Sequence, residues 1–400
     1  MGPPVCCAAE GDGVFLGWMT AEAGKGLVGC DLDGNVRWRV QRGGWGGAQF
    51  VAVDAGVVYA IFPMDNSIYC VDAKSGDFLP WAGSDTTSVS IKALWSTDDP
   101  GMPDRAAGFD VRNGLAYLSC SNPVFLKTHA KDWFALLGKI KAEGEAPAAS
   151  LGKTVWEKVE PFFRDRIAKA VQSRQERWLA GEAFSFDDTR DVVCRILSAL
   201  PRPKLEAAYP DIIVKARTDF VGIVDVTTGK LVKTIPAGSP GAIRVLSDTL
   251  AYVISGGTAV QSLNPQTGET RQLITGLTNA AAVATGPDGR IYVGVREPDH
   301  QVKVFDADGR PIAEIGRKGG RPLLGPWVPD GLFAVSDLAV DSAGKLWIAE
   351  ADEHPKRISV WDPARGTLLR EFFGPTHYGA SGGAINPLDP NVMVGDSEAR

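Results

Sequence analysis

No stretch of these 400 residues approaches the roughly 18–20 consecutive apolar residues needed to cross a bilayer. The opening residues, MGPPVCCAAEGDG, have neither the basic nor the apolar segment of a secretory leader. The expectation is a cytoplasmic protein or one whose leader has been removed; secretion or a periplasmic place follows if 1–400 is a fragment. Positive charge is not in excess: 42 Lys and Arg stand against 48 Asp and Glu, a formal net charge of −6. This removes the broad attraction exerted by surfaces that bind nucleic acid or anionic membranes, so nucleic acid is not a favoured partner. Cys6, Cys7, Cys30, Cys70, Cys120 and Cys194 form no CxxC pair, and five sit in apolar surroundings, which points to buried free thiols. A chain this long needs no disulfide framework. No GxSxG, HExxH, Walker loop, GxGxxG after a strand or zinc-ligand pairing is present. Any catalytic site would have to be assembled from distant loops.

What is present is a repeat. With 44% hydrophobic and 22% charged residues the chain is an ordinary globular one. An apolar run ending in Asp or Asn, a short linker with Gly and a second apolar run recur at "GCDLDGNVRWRV" (29–40), "YCVDAKSGDFLPW" (69–81), "VGIVDVTTGKLVKTI" (221–235), "QSLNPQTGETRQLI" (261–274), "VKVFDADGRPIAEI" (302–315) and "ISVWDPARGTLLREF" (358–372). The register residues are Asp31, Asp72, Asp225, Asn264, Asp306 and Asp362. Each copy reads as a tight hairpin whose Asp or Asn bonds its own backbone while Gly takes the positive φ. A second hairpin precedes each, so the unit has four strands. A four-stranded unit recurring roughly every 40–45 residues is a propeller blade, and radial repetition protects short sheet edges. The reading is all-β: a six-bladed β-propeller with blades at about 3–41, 46–82, 105–236, 240–275, 278–316 and 333–373.

These hairpins resemble the NHL (YVTN-like) and related six-bladed propeller families, with "DLAVDSAGKLWIAEADEHPKRISVWDPARG" nearest the NHL pattern. The copies around "YCVDAKSGDFLPW" and "VDVTTGKLVKTI" look more like quinoprotein-type repeats. The resemblance implies a propeller; such families include lyases, lactone hydrolases, dehydrogenases and non-catalytic binding modules, so it leaves function open. Quinoprotein repeats commonly place Trp a few residues past the Gly. Trp81 and, less closely, Trp38 fit, whereas the copies after Gly229, Gly268, Gly309 and Gly366 lack it, which argues against bound pyrroloquinoline quinone.

The organisation expected is blades one to three (first part) over 1–121, an insertion over 122–218, blades three to six over 219–373, and a partial repeat or tail over 374–400. The insertion reads as helical. In "TVWEKVEPFFRDRIAKAVQSRQERWLA" (154–180), Trp156, Val159, Phe163, Ile167 and Ala170 share one face, and Thr154 with Glu157 fits a capping box. Strand order puts it on the face that carries the connections between blades, where it should act as a cap. The strand-like "NVMVG" after 374 leaves a seven-bladed or truncated ring as the alternative.

Two residue sets are candidates for function. Trp45, Gln49, Arg105, Arg244, Asn279 and Asp337 open the innermost strands and are expected at the channel mouth, where they suit a small polar ligand. All four histidines fall on the connection face: His129, His300, His354 and His377. With Glu350 and Asp352 beside His354, the set His300, His354, Glu350, Asp352 and His377 could hold a divalent metal (Ca, Zn, Fe or Mn), since mixed His and carboxylate donors suit such ions. The leading functional expectation is a non-catalytic propeller presenting that face to a protein, peptide or glycan, as a monomer or part of a multidomain chain. The alternative is a metal-dependent hydrolase or lyase on the same face.

Overall fold

The computed structural model describes residues 6–18, 26–40, 48–62, 66–82, 84–94, 106–121, 141–146, 219–322, 326–351, 357–373, 383–385 and 393–395. The local driver is turn chemistry. Asp31 Oδ1 accepts the N–H groups of Asp33 and Asn35 at 2.9 and 2.8 Å. The same bond pair recurs from Asp72 to Lys74 and Ser75, from Asp225 to Thr227 and Thr228, from Asn264 to Gln266 and Thr267, from Asp306 to Asp308 and Arg310, and from Asp362 to Ala364 and Arg365. All six register side chains therefore serve the backbone of their own hairpin. Gly309 shows why the glycine is needed: its φ is 82°, and an added Cβ would come within 2.5 Å of the Leu273 carbonyl oxygen.

Blade 1 comprises β1 (Cys6–Glu10), β2 (Gly13–Trp18), β3 (Gly26–Asp31) and β4 (Val36–Val40). Blade 2 has β5 (Phe50–Asp54), β6 (Val57–Phe62) and β7 (Ser67–Asp72), with the outer position shared by β8 (Phe78–Leu79) and β9 (Ser88–Ser90); a helical turn, α1 (Ile91–Leu94), follows. Blade 3 runs β10 (Gly108–Arg112), β11 (Leu115–Ser121), β12 (Asp219–Asp225) and β13 (Lys230–Pro236). Blade 4 holds β14 (Pro240–Ser247), β15 (Leu250–Ser255), β16 (Ala259–Leu263) and β17 (Thr270–Ile274). Blade 5 holds β18 (Ala280–Thr285), β19 (Ile291–Val295), β20 (Gln301–Phe305) and β21 (Pro311–Ile315). Blade 6 holds β22 (Val335–Val340), β23 (Leu346–Glu350), β24 (Arg357–Asp362) and β25 (Thr367–Phe373). Every pairing is antiparallel, and a separate hairpin joins β26 (Gly383–Ile385) to β27 (Met393–Gly395).

The first strand of each blade is innermost, and each contacts the next: β1 to β5, β5 to β10, β10 to β14, β14 to β18, β18 to β22, and β22 back to β1. The ring thus closes at six blades, which rules out the seven-bladed alternative. Blade 2 extends further than expected, because β9 occupies part of the outer edge of β7.

The core lies between blades. One cluster joins Ala282, Tyr292 and Val304 of blade 5 to Leu338, Ile348 and Trp361 of blade 6; another joins Trp347 and Ile358 of blade 6 to Cys7, Val14 and Cys30 of blade 1. The closing seam is therefore packed like the other junctions, with both of its blades complete in themselves. Cys6, Cys7, Cys30, Cys70 and Cys120 are free and buried, as expected; Cys194 lies outside the described residues. Residues 97–103 and 122–218 group as a second compact unit. The helical expectation for the insertion lies outside the described residues except at 141–146, where 141–145 is helical and Lys141 Nζ pairs with Glu145 at 3.0 Å.

Candidate functional site

Strand direction defines two ends of the ring. One carries the turns between first and second and between third and fourth strands; the other carries the connections between blades. Asp341 belongs to the first end. Its Oδ1 accepts the N–H groups of Ala343 and Lys345, and its Oδ2 accepts Trp347 Nε1–H at 2.8 Å, so its carboxylate is a turn cap that also anchors a fully buried indole.

Inside the ring, register reveals a pattern. An aromatic residue on the second strand faces a small residue on the first in four blades: Phe15 and Ala8, Tyr59 and Ala52, Tyr292 and Ala284, Trp347 and Ala339. In blades 3 and 4 the small residue is replaced by Asp110, opposite Tyr117, and Arg244, opposite Tyr252. Asp110 is buried and accepts the N–H of Val245 from the next blade at 2.7 Å, while Arg244 Nη1 lies 3.5 Å from its Oδ1. Arg244 Nη2 donates to the Leu338 carbonyl at 3.2 Å. That bond runs from blade 4 to blade 6, so the side chain must cross the interior of the ring. Asp337 accepts the N–H of Cys7 at 2.9 Å across the closing seam and that of Leu338 at 2.9 Å. Burial pushes the Asp337 carboxyl up to about 6, with the Cys7 N–H and Arg244 opposing the rise. Burial also raises Asp110 and works against charge on Arg244, but Asp110 and Asp337 more than offset the latter.

Of the channel set, the structure brings Arg244 and Asp337 together. Asn279 lies instead at the blade connection, with φ 49° and its Nδ2 on the Glu297 carbonyl, and Gln49 bonds through its backbone to the Ile61 carbonyl. Trp45 and Arg105 lie outside the described residues. Asp110 escaped the sequence reading; the signal was a charged residue at a position that is Ala in four of six copies.

A second polar cluster occupies the connection end between blades 5 and 6. Glu350, at the end of β23, is fully buried and receives two guanidinium groups: Arg357 Nη1 at 3.1 Å on Oε1 and Arg321 Nη1 on Oε2. Burial raises the Glu350 carboxyl, and both arginines act against that rise. Its Oε2 also accepts the Phe333 N–H at 2.8 Å, and the next N–H, of Ala334, goes to His300 Nδ1 at 3.1 Å. Two of the predicted ligand residues thus meet on one dipeptide, each already hydrogen-bonded. His300 stacks on Phe333 with centroids 4.6 Å apart, and burial lowers its pKa. Asp352, His354, His377 and His129 lie outside the described residues, and among the described residues no group of three or more His, Cys, Asp or Glu is placed to hold a metal ion.

Above this cluster sits Trp327, in the connection 316–334 between β21 and β22. The guanidinium groups of Arg321 and Arg357 lie 5.1 and 5.2 Å from its ring centroid, its Nε1–H donates to Glu371 Oε1 at 3.3 Å, and Phe373 meets it edge-on at 5.2 Å. Trp327 is nevertheless 39% exposed and Phe373 49%. The sequence reading missed both, because neither occupies a repeat position.

No protein-family model matches the chain, and no curated protein sequence matches it. Among solved structures it is similar to the computationally designed Ika8 protein, at 12% identity and TM-score 0.41 over 99% of this chain and 93% of that one. It is similar also to U3-55K, at 11% identity and TM-score 0.46 over 98% and 88%. For BamB from Moraxella catarrhalis the values are 11% identity and TM-score 0.32 over 98% and 78%.

Proposed function

We propose that the chain is a non-catalytic β-propeller of the NHL-like or quinoprotein-like kind, presenting its connection end to a protein, peptide or glycan, with residues 122–218 inserted in the chain between β11 and β12. The observation that supports this is the Trp327–Phe373 pair: two large aromatics, exposed and yet immobilised by two guanidinium groups and a carboxylate. A rigid exposed aromatic loses little conformational entropy on binding, which is why Trp dominates binding hot spots. The competing reading is a metal-dependent hydrolase or lyase on the same face. Against it weighs the engagement of both Glu350 oxygens by arginines.

Two measurements decide. Peptide and glycan arrays probed with the wild type and with Trp327→Ala/Phe373→Ala should yield ligands that the variant loses at least about tenfold, while its thermal stability stays close to wild type. Ligands retained equally by both would sink the reading. Elemental analysis of protein purified without chelators is expected to show no stoichiometric metal; zinc, iron, manganese or calcium lost on replacing His300 and His354 would favour the enzyme.

A further inference from the structure

We propose that the occupant of this surface is an extended acidic peptide, lying along the open edge of β25 with an apolar side chain on Trp327 and Phe373; the inference rests on the docking reading above. Three independent features select that chemistry. The first is backbone. Among the described residues β25 pairs only with β24, so one edge of Thr367–Phe373 keeps free N–H and C=O groups at strand spacing. Such an edge is a template for an added strand, and it matches a peptide rather than a sugar.

The second feature is where apolar surface gathers. Of the exposed large hydrophobics among the described residues, Val36, Val232 and Ile312 lie singly on blades 1, 3 and 5, whereas Leu369 and Phe373 are both on β25 and Trp327 packs against Phe373. Edge strands normally carry charge to discourage pairing. This one carries Arg370 and Glu371, paired with Asp33 and Arg357, and ends in an aromatic ledge.

The third is charge. Connection 316–334 carries Arg317, Lys318 and Arg321 against a single acid, Asp330, in a chain of net charge −6. Glu350 neutralises Arg321, but Arg317 and Lys318 are exposed and make no side-chain ion pair among the described residues. Arg317 is tied to the site through its backbone bond to the Asp330 carbonyl at 2.7 Å, next to Pro329, whose carbonyl receives Arg357 Nη2. Two unpaired cations on the same connection as Trp327 fit acid side chains flanking an apolar anchor. Exposed pairs are individually weak, so two of them give about a tenfold preference at low salt.

The test uses the full chain and fluorescence anisotropy with labelled decapeptides: a Glu-rich one around Leu-Pro-Phe, its Gln and Lys counterparts, the Glu peptide N-methylated at alternate residues, and an oligouridylate. The Glu peptide is expected to bind about tenfold tighter than the Gln peptide near 0.05 M salt, with the preference shrinking near 0.5 M, where screening is stronger. Arg317→Glu/Lys318→Glu should erase the preference without abolishing Gln-peptide binding, Trp327→Ala should weaken both, and N-methylation should abolish binding. Equal binding of Glu and Lys peptides, tighter binding of the oligouridylate, or no Glu-peptide binding at about 1 mM overturns the inference. Array ligands lost on Trp327→Ala but indifferent to peptide charge would sink the acidic-peptide inference and leave the docking surface standing.

Discussion

Glu350→Gln is the sharpest perturbation available. The wild-type carboxylate is fully buried between Arg357, itself fully buried, and Arg321, 4% exposed, and it holds the Phe333 N–H. Gln keeps the shape and one acceptor oxygen but leaves two buried guanidinium groups with reduced compensation. Breaking a buried pair in this way costs about 3–5 kcal/mol. Arg357 retains the Gly331 carbonyl at 3.0 Å and Glu371 at 2.8 Å, which argues for the lower end of that range. A ring of this size should lose about 5–8 °C in thermal midpoint, and about 5 °C at that lower end. Arg321→Met/Glu350→Gln should recover part of the loss, because a hydrophobic replacement removes the orphaned charge along with its partner. The assay is thermal unfolding followed by circular dichroism, with and without micromolar zinc or manganese. A Glu350→Gln protein within about 1 kcal/mol of wild type would refute the reasoning. So would a metal-induced rise in wild-type stability that the variant abolishes, since the carboxylate would then be serving as a ligand.

Other expectations follow from the same geometry. Asp341→Ala should cost about 2–4 kcal/mol, because it orphans a buried indole N–H as well as two turn N–H groups, whereas Asp306→Ala, at an exposed turn, should cost about 1 kcal/mol; urea midpoints compare them. Asp337, raised to about 6 from an unfolded value near 4, contributes stability that is fully present below about pH 4 and lost as pH rises through 6, up to about 3 kcal/mol. Wild type should therefore lose stability relative to Asp337→Asn across that window; a flat difference between pH 4 and 7 would contradict the burial of the carboxyl. Replacing residues 122–218 by a short Gly-Ser linker should leave the blades folded, since Ser121 and Asp219 are already paired in the β11–β12 ladder and a short loop closes them at little entropic cost. Loss of the strand signal in circular dichroism would show that the ring depends on the insertion.

The fold was legible where its cause is local. A register Asp or Asn bonds N–H groups two to four residues on, so the hairpins, and with them six blades, can be read from short windows. The candidate site was legible only in its charged members. Glu350 stood out as an acid beside His354, but of its partners only Arg357 is near in sequence, Arg321 and the Phe333 N–H come from the preceding blade connection, and Trp327 carries no repeat signature at all. The channel set reflects the same limit. Residues at strand starts were expected at the channel mouth, yet blades stand radially with their sheet faces toward neighbouring blades, so most such side chains meet a neighbour or a connection. Arg244 reaches the interior only because it is long and replaces an alanine.

That geometry also bears on where a partner can act. Arg244 bridges blades 4 and 6 through the ring's interior and is held by Asp110, while Asp337 closes the seam to blade 1. These charges bond to backbone groups that the innermost strands would otherwise leave unpaired, so the interior is committed to holding the ring together. The blade 5 to 6 connection differs in kind. Its buried charges pair with one another beneath the surface, Glu350 with Arg321 and Arg357, and Arg357 with Glu371, and what they support, Trp327 with Phe373, remains exposed. A network that needed only to stabilise the connection could bury that indole completely. Holding it rigid and open instead adds surface that gains free energy only when something covers it, which is the physical reason to look for the partner there rather than in the channel.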